Sequence, residues 1–132
     1  PSLSQFTPWE ITRSCTEIVS VLIATLGADY KIQDGIAIHN TARIEPQVII
    51  KAPAIIGPGC FIASHAYLRN GVFLIGNNSV GPGCEVKSSI IFPETNLAHF
   101  NFIGDSVIGS GVNFEAGAVI ANHYNERKDK SI

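Results

Sequence analysis

Ile56-Gly57-Pro58-Gly59-Cys60-Phe61-Ile62-Ala63-Ser64-His65-Ala66-Tyr67-Leu68 has an aliphatic residue at every sixth position and a small apolar one four residues after each. Upstream the same step lands on Ile38, Ile44 and Ile50, with Ala42, Val48 and Ala54 as the partners. Ile56-Gly57-Pro58-Gly59-Cys60 returns almost unchanged as Val80-Gly81-Pro82-Gly83-Cys84, twenty-four residues or four hexads later. Two register slips are expected, near Leu74-Ile75 and around Leu97-Ala98, with the pattern resuming between them at Val80, Val86 and Phe92. A five-residue step then leads from Ile103 to Ile108, followed by Phe114 and Ile120.

The spacing has a direct physical reading. Position i+4 and the next i are two residues apart, so they face the same side of a strand. Each hexad is therefore one short strand with an inward pair, followed by a turn. The Gly-Pro-Gly corners and the β-branched inward residues exclude an amphipathic helix. Gly and Asn at corner positions allow the tight bends. Three hexads close a triangular coil of about eighteen residues, and coils stack through parallel ladders about 4.8 Å apart.

Strict triangular coils of this kind resemble the hexapeptide-repeat solenoids, which run left-handed against the usual preference for right-handed parallel crossovers. The expectation is an all-β, left-handed parallel β-helix of about five coils over 36–125. A capping helix and lead-in segment should occupy 1–35, and a loop or interrupted continuation 126–132. In the first of these, Thr7-Pro8-Trp9-Glu10 reads as a capping box with proline at N1. Cys15, Ile18, Val19, Leu22, Ile23 and Leu26 follow at helical spacing, and Gly27 suits a stop. A helix from about 8 to 26 is expected to pack on the first coil or on a neighbour and cover the open end of the solenoid.

Composition narrows the function classes. Of 132 residues, 45% are apolar and 15% charged, which describes a globular chain. A net charge of −2 without a basic block argues against nucleic acid or an anionic membrane as partner. Ile18 to Leu26 is too short to span a bilayer and follows no basic n-region. Cys15, Cys60 and Cys84 are odd in number and lack CxxC spacing, so buried free thiols in a reducing cytoplasm are expected. His39 and His65 read as structural. No spacing demands a metal, and none is expected.

The polar interruption is Ala98-His99-Phe100-Asn101-Phe102-Ile103-Gly104-Asp105. His99 reads either as a corner histidine bonded to a backbone carbonyl or as a general base on a subunit surface. This stretch, with Ile108-Gly109-Ser110-Gly111-Val112-Asn113-Phe114-Glu115-Ala116-Gly117 and with Leu68-Arg69 and Glu85-Val86-Lys87 upstream, resembles the acetyltransferase domain of the bifunctional UDP-GlcNAc pyrophosphorylase/glucosamine-1-phosphate acetyltransferase. Related β-helix domains occur in sugar-1-phosphate nucleotidyltransferases.

The resemblance implies a cytoplasmic homotrimer with its active site between subunits. Acetyl-CoA would be the acyl donor and an amino-sugar phosphate the acceptor. His99 would take the proton from the attacking amine. Arg69 and Lys87 would hold the sugar phosphate, Asn113 the sugar or the acetyl carbonyl, and His123 and Tyr124 the acetyl-CoA. Three positions depart from the family. Phe102 stands where it has a substrate-binding tyrosine, Glu115 where it has glycine, and His123 where it has asparagine. The family also continues beyond the position of Ile132, so an incomplete donor site and weak transfer by the 132 residues alone are expected. The reading from another class is a non-catalytic trimerisation or regulatory module of a sugar-1-phosphate nucleotidyltransferase. Phe61, Phe73 and Phe100 are expected at apolar edges that a trimer would cover. Arg69 and Lys87, one coil apart, are expected to stack and to need a bridging anion.

Overall fold

The computed structural model describes residues 2–121. His123, Tyr124 and the expected tail at 126–132 lie outside the described residues. After the short helices α1 (Pro8–Arg13) and α2 (Cys15–Ile23), a strand β1 (Tyr30–Gln33) leads into five stacked coils. Strands β2 (Ile36–His39), β3 (Arg43–Ile44) and β4 (Ile49–Ile50) form the first coil. Strands β5 (Ala54–Ile56), β6 (Phe61–Ile62) and the first half of β7 (Tyr67–Leu74) form the second. The third comprises the rest of β7, β8 (Ser79–Val80) and the start of β9 (Glu85–Ile91). The fourth comprises the rest of β9, β10 (Asn96–Leu97) and β11 (Phe102–Gly104). The fifth comprises β12 (Val107–Ile108), β13 (Asn113–Phe114) and β14 (Val119–Ile120). Every ladder between coils is parallel, as a left-handed β-helix requires.

The ladder registers define three faces. Face one stacks β3, β6, β8, β10 and β13. Face two stacks β4, β7, β9, β11 and β14 through Tyr67, Glu85, Phe102 and Val119. Face three stacks β2, β5, the second halves of β7 and β9, and β12. The inward aliphatic residues expected at 56, 62, 68, 80 and 86 are buried, and Ile38, Ile44 and Ile50 pack on them.

The five-residue step from Ile103 to Ile108 is present as expected, but the slips expected near Leu74-Ile75 and Leu97-Ala98 are not. Leu74 and Leu97 are regular inward residues, buried to within 1%. Ile91 points inward, paired with Leu74, whereas Phe92 is 40% exposed. The five-residue steps are Val86 to Ile91 and Ile103 to Ile108, both at the corner between faces two and three. There the second coil turns through two left-handed residues, Asn70 (φ 58°) and Gly71 (φ 83°). The coils above turn through one each, Ser88 (φ 46°) and Asp105 (φ 49°), so each loses a residue. Three consecutive apolar residues, Ile90-Ile91-Phe92, hide that loss from the sequence pattern.

The N-terminal helix also departs from expectation. It breaks at Ser14 and ends at Ile23. Instead of covering the open end, it lies across face three, with α2 against β5, β7 and β9 and α1 against β9 and β12. The outward column of face three explains this: Ala37, Ile55, Phe73, Ile90 and Val107 are all apolar. Val19 packs fully buried against Ala37 and Ile55, each larger side chain contributing about 1.5–3 kcal/mol. The open end is instead met by β1, antiparallel to β2 through a tight Asp34-Gly35 turn, both residues left-handed. The expected capping box is present, with Glu10 accepting from the Thr7 backbone N–H (2.8 Å) and hydroxyl (2.6 Å). Among the described residues no helix is long and apolar enough to cross a membrane.

Buried polar side chains staple neighbouring coils. Asn78 donates to the carbonyls of Phe92 and Thr95, and Asn101 to those of Glu115 and Ala118. Their Oδ1 atoms accept from the thiols of Cys60 and Cys84. All three cysteines are free and buried, as expected.

Two predictions follow from this packing. An added Cβ at Gly81 lands on the fixed carbonyl of Ala98, whereas one at Gly109 meets nothing among the described residues. Gly81→Ala is expected to cost more than about 2 kcal/mol in urea titration, and Gly109→Ala less than about 0.5 kcal/mol. Burial pushes the Cys15 thiol up to about 12, helped by the charges of Asp105 and Glu17. Its protonated form is therefore favoured by folding. That contribution is intact below the ordinary thiol value of 9.0 and is lost as pH rises from there towards 12. Iodoacetamide at pH 8 should modify Cys15 only as fast as the fold opens, which mass spectrometry of the alkylated chain measures.

Candidate functional site

The chain turns from face one to face two through a left-handed residue at each coil: Gln47 (φ 67°), His65 (φ 69°), Gly83 (φ 70°), Phe100 (φ 50°) and Gly117 (φ 78°). His99 occupies this corner on the fourth coil. Its backbone carbonyl accepts from Gly117 N–H at 2.9 Å, and Ala98 N–H donates to the Phe114 carbonyl at 3.0 Å. From the coil below, the Pro82 carbonyl accepts from Phe100 N–H at 3.1 Å, so the turn is held by the coils on either side while the imidazole stands exposed, without a hydrogen bond among the described residues. His39 is different: its Nδ1 pairs with the Thr41 hydroxyl at 2.8 Å and accepts from Thr41 N–H at 3.1 Å, a structural role as expected. His65 is exposed on the corner two coils below His99.

Arg69 and Lys87 are direct ladder partners on face two, stacked one coil apart as expected. The expected need for a bridging anion is not met. Arg69 Nε donates to Glu85 at 2.7 Å, and Lys87 Nζ donates to both oxygens of Asp105 at 3.2 and 3.0 Å. The Arg69 guanidinium also lies 6.0 Å from the Tyr67 ring centre. Two cations and two carboxylates balance, and the repulsion that an anion would relieve is already offset. The position above Lys87 is Gly104, so His99 stands beside this column at the corner instead of directly over it.

Phe102 follows His99 onto face two, above Glu85. Asn113 lies on face one of the fifth coil, above Asn96. It is exposed, and its Nδ2 donates to Glu115 at 2.9 Å. The candidates therefore spread over two faces that meet at the His99 corner. Asn101, inside the motif that drew attention to His99, is structural: it is buried and stapled to the next coil. Among the described residues no three His, Cys, Asp or Glu gather as a metal would require.

A concavity of about 690 Å³ lies elsewhere, between the helices and face three, with Phe6, Ile11, Ile18, Val21 and Phe73 in its walls. Of the three phenylalanines expected at bare edges, Phe73 packs against the helix cluster and Phe61 is half-buried beneath Arg43. Phe100 is 73% exposed.

The sequence profile described as GMPPB C-terminal domain matches residues 29–123. A bifunctional sugar-1-phosphate nucleotidylyltransferase/acetyltransferase of Sulfurisphaera tokodaii is 38% identical over 70% of this chain and 26% of its own length. The bifunctional protein GlmU of Methanococcus maripaludis is 32% identical over 87% of this chain and 29% of its own. The chain thus spans little more than a quarter of these relatives. Among solved structures, the acetyltransferase domain of PglB from Neisseria gonorrhoeae FA1090 aligns with a TM-score of 0.54 at 21% identity, over 88% of this chain and 65% of its own. That likeness shows the fold.

The charge balance on face two is testable. Glu85→Gln with Asp105→Asn leaves Arg69 and Lys87 facing each other uncompensated. Phosphate affinity, measured by calorimetry at low salt, is expected to rise about tenfold or more over the unaltered protein.

Proposed function

The chain belongs to the GMPPB C-terminal domain family, and we propose that it is the acyl-transfer β-helix module of a sugar-nucleotide enzyme, moving acetyl from acetyl-CoA to the amine of an amino-sugar phosphate. The observation that carries this reading is His99, an exposed imidazole on a turn pinned by both neighbouring coils. A base held this way needs no reorganisation before it accepts a proton. The Sulfurisphaera tokodaii relative, named in part as an acetyltransferase, supports the reaction class.

In the proposed step the amine nitrogen attacks the thioester carbonyl. The C–N bond forms, the C–S bond breaks, and the departing thiolate carries the electron pair. His99 takes the proton from nitrogen and passes it to the leaving sulfur. Arg69 and Lys87 meet the sugar phosphate as shared partners, since Glu85 and Asp105 already engage them. Phe102 offers an apolar surface and no hydroxyl. His123 and Tyr124 are proposed for the acetyl-CoA side. A homotrimer that places His99 at a subunit boundary covers Phe100, and a cytoplasmic location suits acetyl-CoA.

The second reading is a non-catalytic β-helix module of a sugar-1-phosphate nucleotidyltransferase. The neutral pairing of Arg69 with Glu85 and of Lys87 with Asp105 favours it, because a phosphate site normally keeps cations in excess.

Thiol release from acetyl-CoA in the presence of glucosamine-1-phosphate separates the two. Weak turnover at most is expected from these 132 residues and faster turnover from the native-length protein, in which His99→Ala should lower kcat by about 10²–10⁴. No thiol release from the native-length protein assigns the module to the second reading.

A further inference from the structure

We infer that Phe100, seated on Gly83, is a positioning residue for His99: its ring and its left-handed backbone fix the peptide unit that aims the imidazole outward. His99 is the base in the proposed reading, and the inference rests on that reading.

Nine of the described non-glycine residues have positive φ, and Phe100 is the only apolar one. The other eight are polar, and four of them are Asn or Asp, whose short side chains suit that region. A bulky aromatic does not suit it, so the φ of 50° at Phe100 is strained. Gly83 holds the same corner position one coil below and Gly117 one coil above. Glycine would therefore fit at 100 without strain. Burial does not account for phenylalanine either, because the residue is 73% exposed. Strain of this kind persists where the surroundings enforce it, and it gathers at functional sites.

Phe100 directly follows the candidate base, and the peptide unit between them is bonded on both sides. Its carbonyl, that of His99, accepts from Gly117 N–H at 2.9 Å in the coil above. Its N–H, that of Phe100, donates to the Pro82 carbonyl at 3.1 Å in the coil below. The plane of this unit sets ψ of His99 and φ of Phe100, and with them the direction in which the imidazole leaves the turn. Relaxing Phe100 to negative φ would rotate the plane and break both bonds.

The ring adds a third restraint. A Cβ built on Gly83 would lie 2.6 Å from both Cδ1 and Cε1 of Phe100, so the ring fills the space that a side chain at 83 would take. The seat exists because coil three carries no side chain there. Glycine at 100 would lose this seat and gain the rest of φ/ψ space. His99 depends on the turn for its aim, since its imidazole has no hydrogen bond among the described residues.

Two variants of the native-length protein test the role. Phe100→Gly removes the ring and relieves the strained dihedral, so it is expected to keep the melting temperature and the oligomeric state. It should nevertheless lower kcat about tenfold or more, with KM unchanged. Phe100→Tyr keeps the ring and should keep kcat. The order parameter of the His99 Cε1–Hε1 bond, from carbon relaxation of the isotope-labelled protein, should fall in Phe100→Gly and hold in Phe100→Tyr. Unchanged kcat or unchanged ring order in Phe100→Gly overturns the inference. So does an equal loss in Phe100→Tyr, or a loss of kcat that merely follows unfolding or subunit dissociation. If the unaltered native-length protein releases no thiol, the enzymatic reading fails and ring order alone decides. A His99 ring loosened by Phe100→Gly and not by Phe100→Tyr then upholds the positioning role, and equal order in all three proteins overturns it.

Discussion

Each inward side chain of this fold rests on its equivalent in the next coil, and that repeated contact carries the structure. Face three stacks Ile38, Ile56, Leu74, Ile91 and Ile108. Face one stacks Ile44, Ile62, Val80, Leu97 and Phe114. Face two stacks Ile50, Leu68, Val86, Ile103 and Ile120. No coil can bury its own inner surface, so stability accumulates between neighbours. The constraint is strict in register: a one-residue slip would turn every later side chain inside out. The chain can lose a residue only where a corner absorbs it. It does so twice, at Ser88 and Asp105, stacked at the same corner.

Once the columns are fixed, the outer surface is fixed as well, and the functional candidates are a consequence. Outward positions one coil apart sit about 4.8 Å apart, so Arg69 meets Lys87, and Phe102 meets Glu85, whatever their roles. The apolar outer column of face three is closed by the helices. Faces one and two meet at a corner whose turns are braced by Asn101 and by the Gly117 bond to His99. The exposed imidazole and the Glu115–Asn113 pair stand on this braced edge. The two ion pairs occupy the adjoining face, where their charges cancel.

The six-residue spacing made the coils, the inward columns and the stacking of Arg69 on Lys87 legible before any coordinates. The capping box was legible too, because Thr7 and Glu10 act within one turn. The five-residue step from Ile103 to Ile108 was legible, but that from Val86 to Ile91 was not, since Ile90-Ile91-Phe92 offers two equally apolar alignments and only the corner dihedrals decide between them. The docking of the helix on face three was written in Ala37, Ile55, Phe73, Ile90 and Val107, but as an outward pattern at coil-length spacing. Short-range periodicity does not expose such a pattern. The partners of Arg69 and Lys87 come sixteen and eighteen residues later, and the side-chain reach that closes those pairs is a property of the folded face. The role of Asn101 was masked by its place beside His99: a buried amide and an exposed one look alike in sequence.

The account places acceptor recognition at the corner between faces one and two, on the fourth and fifth coils. Backbone amide chemical shifts of the isotope-labelled protein, followed during titration with glucosamine-1-phosphate, test that placement directly. The account predicts that the perturbed amides cluster at residues 98–105 and 113–117. Perturbations confined to the helix-lined concavity around Phe6, Ile18 and Phe73, or no perturbation at millimolar ligand, would contradict it.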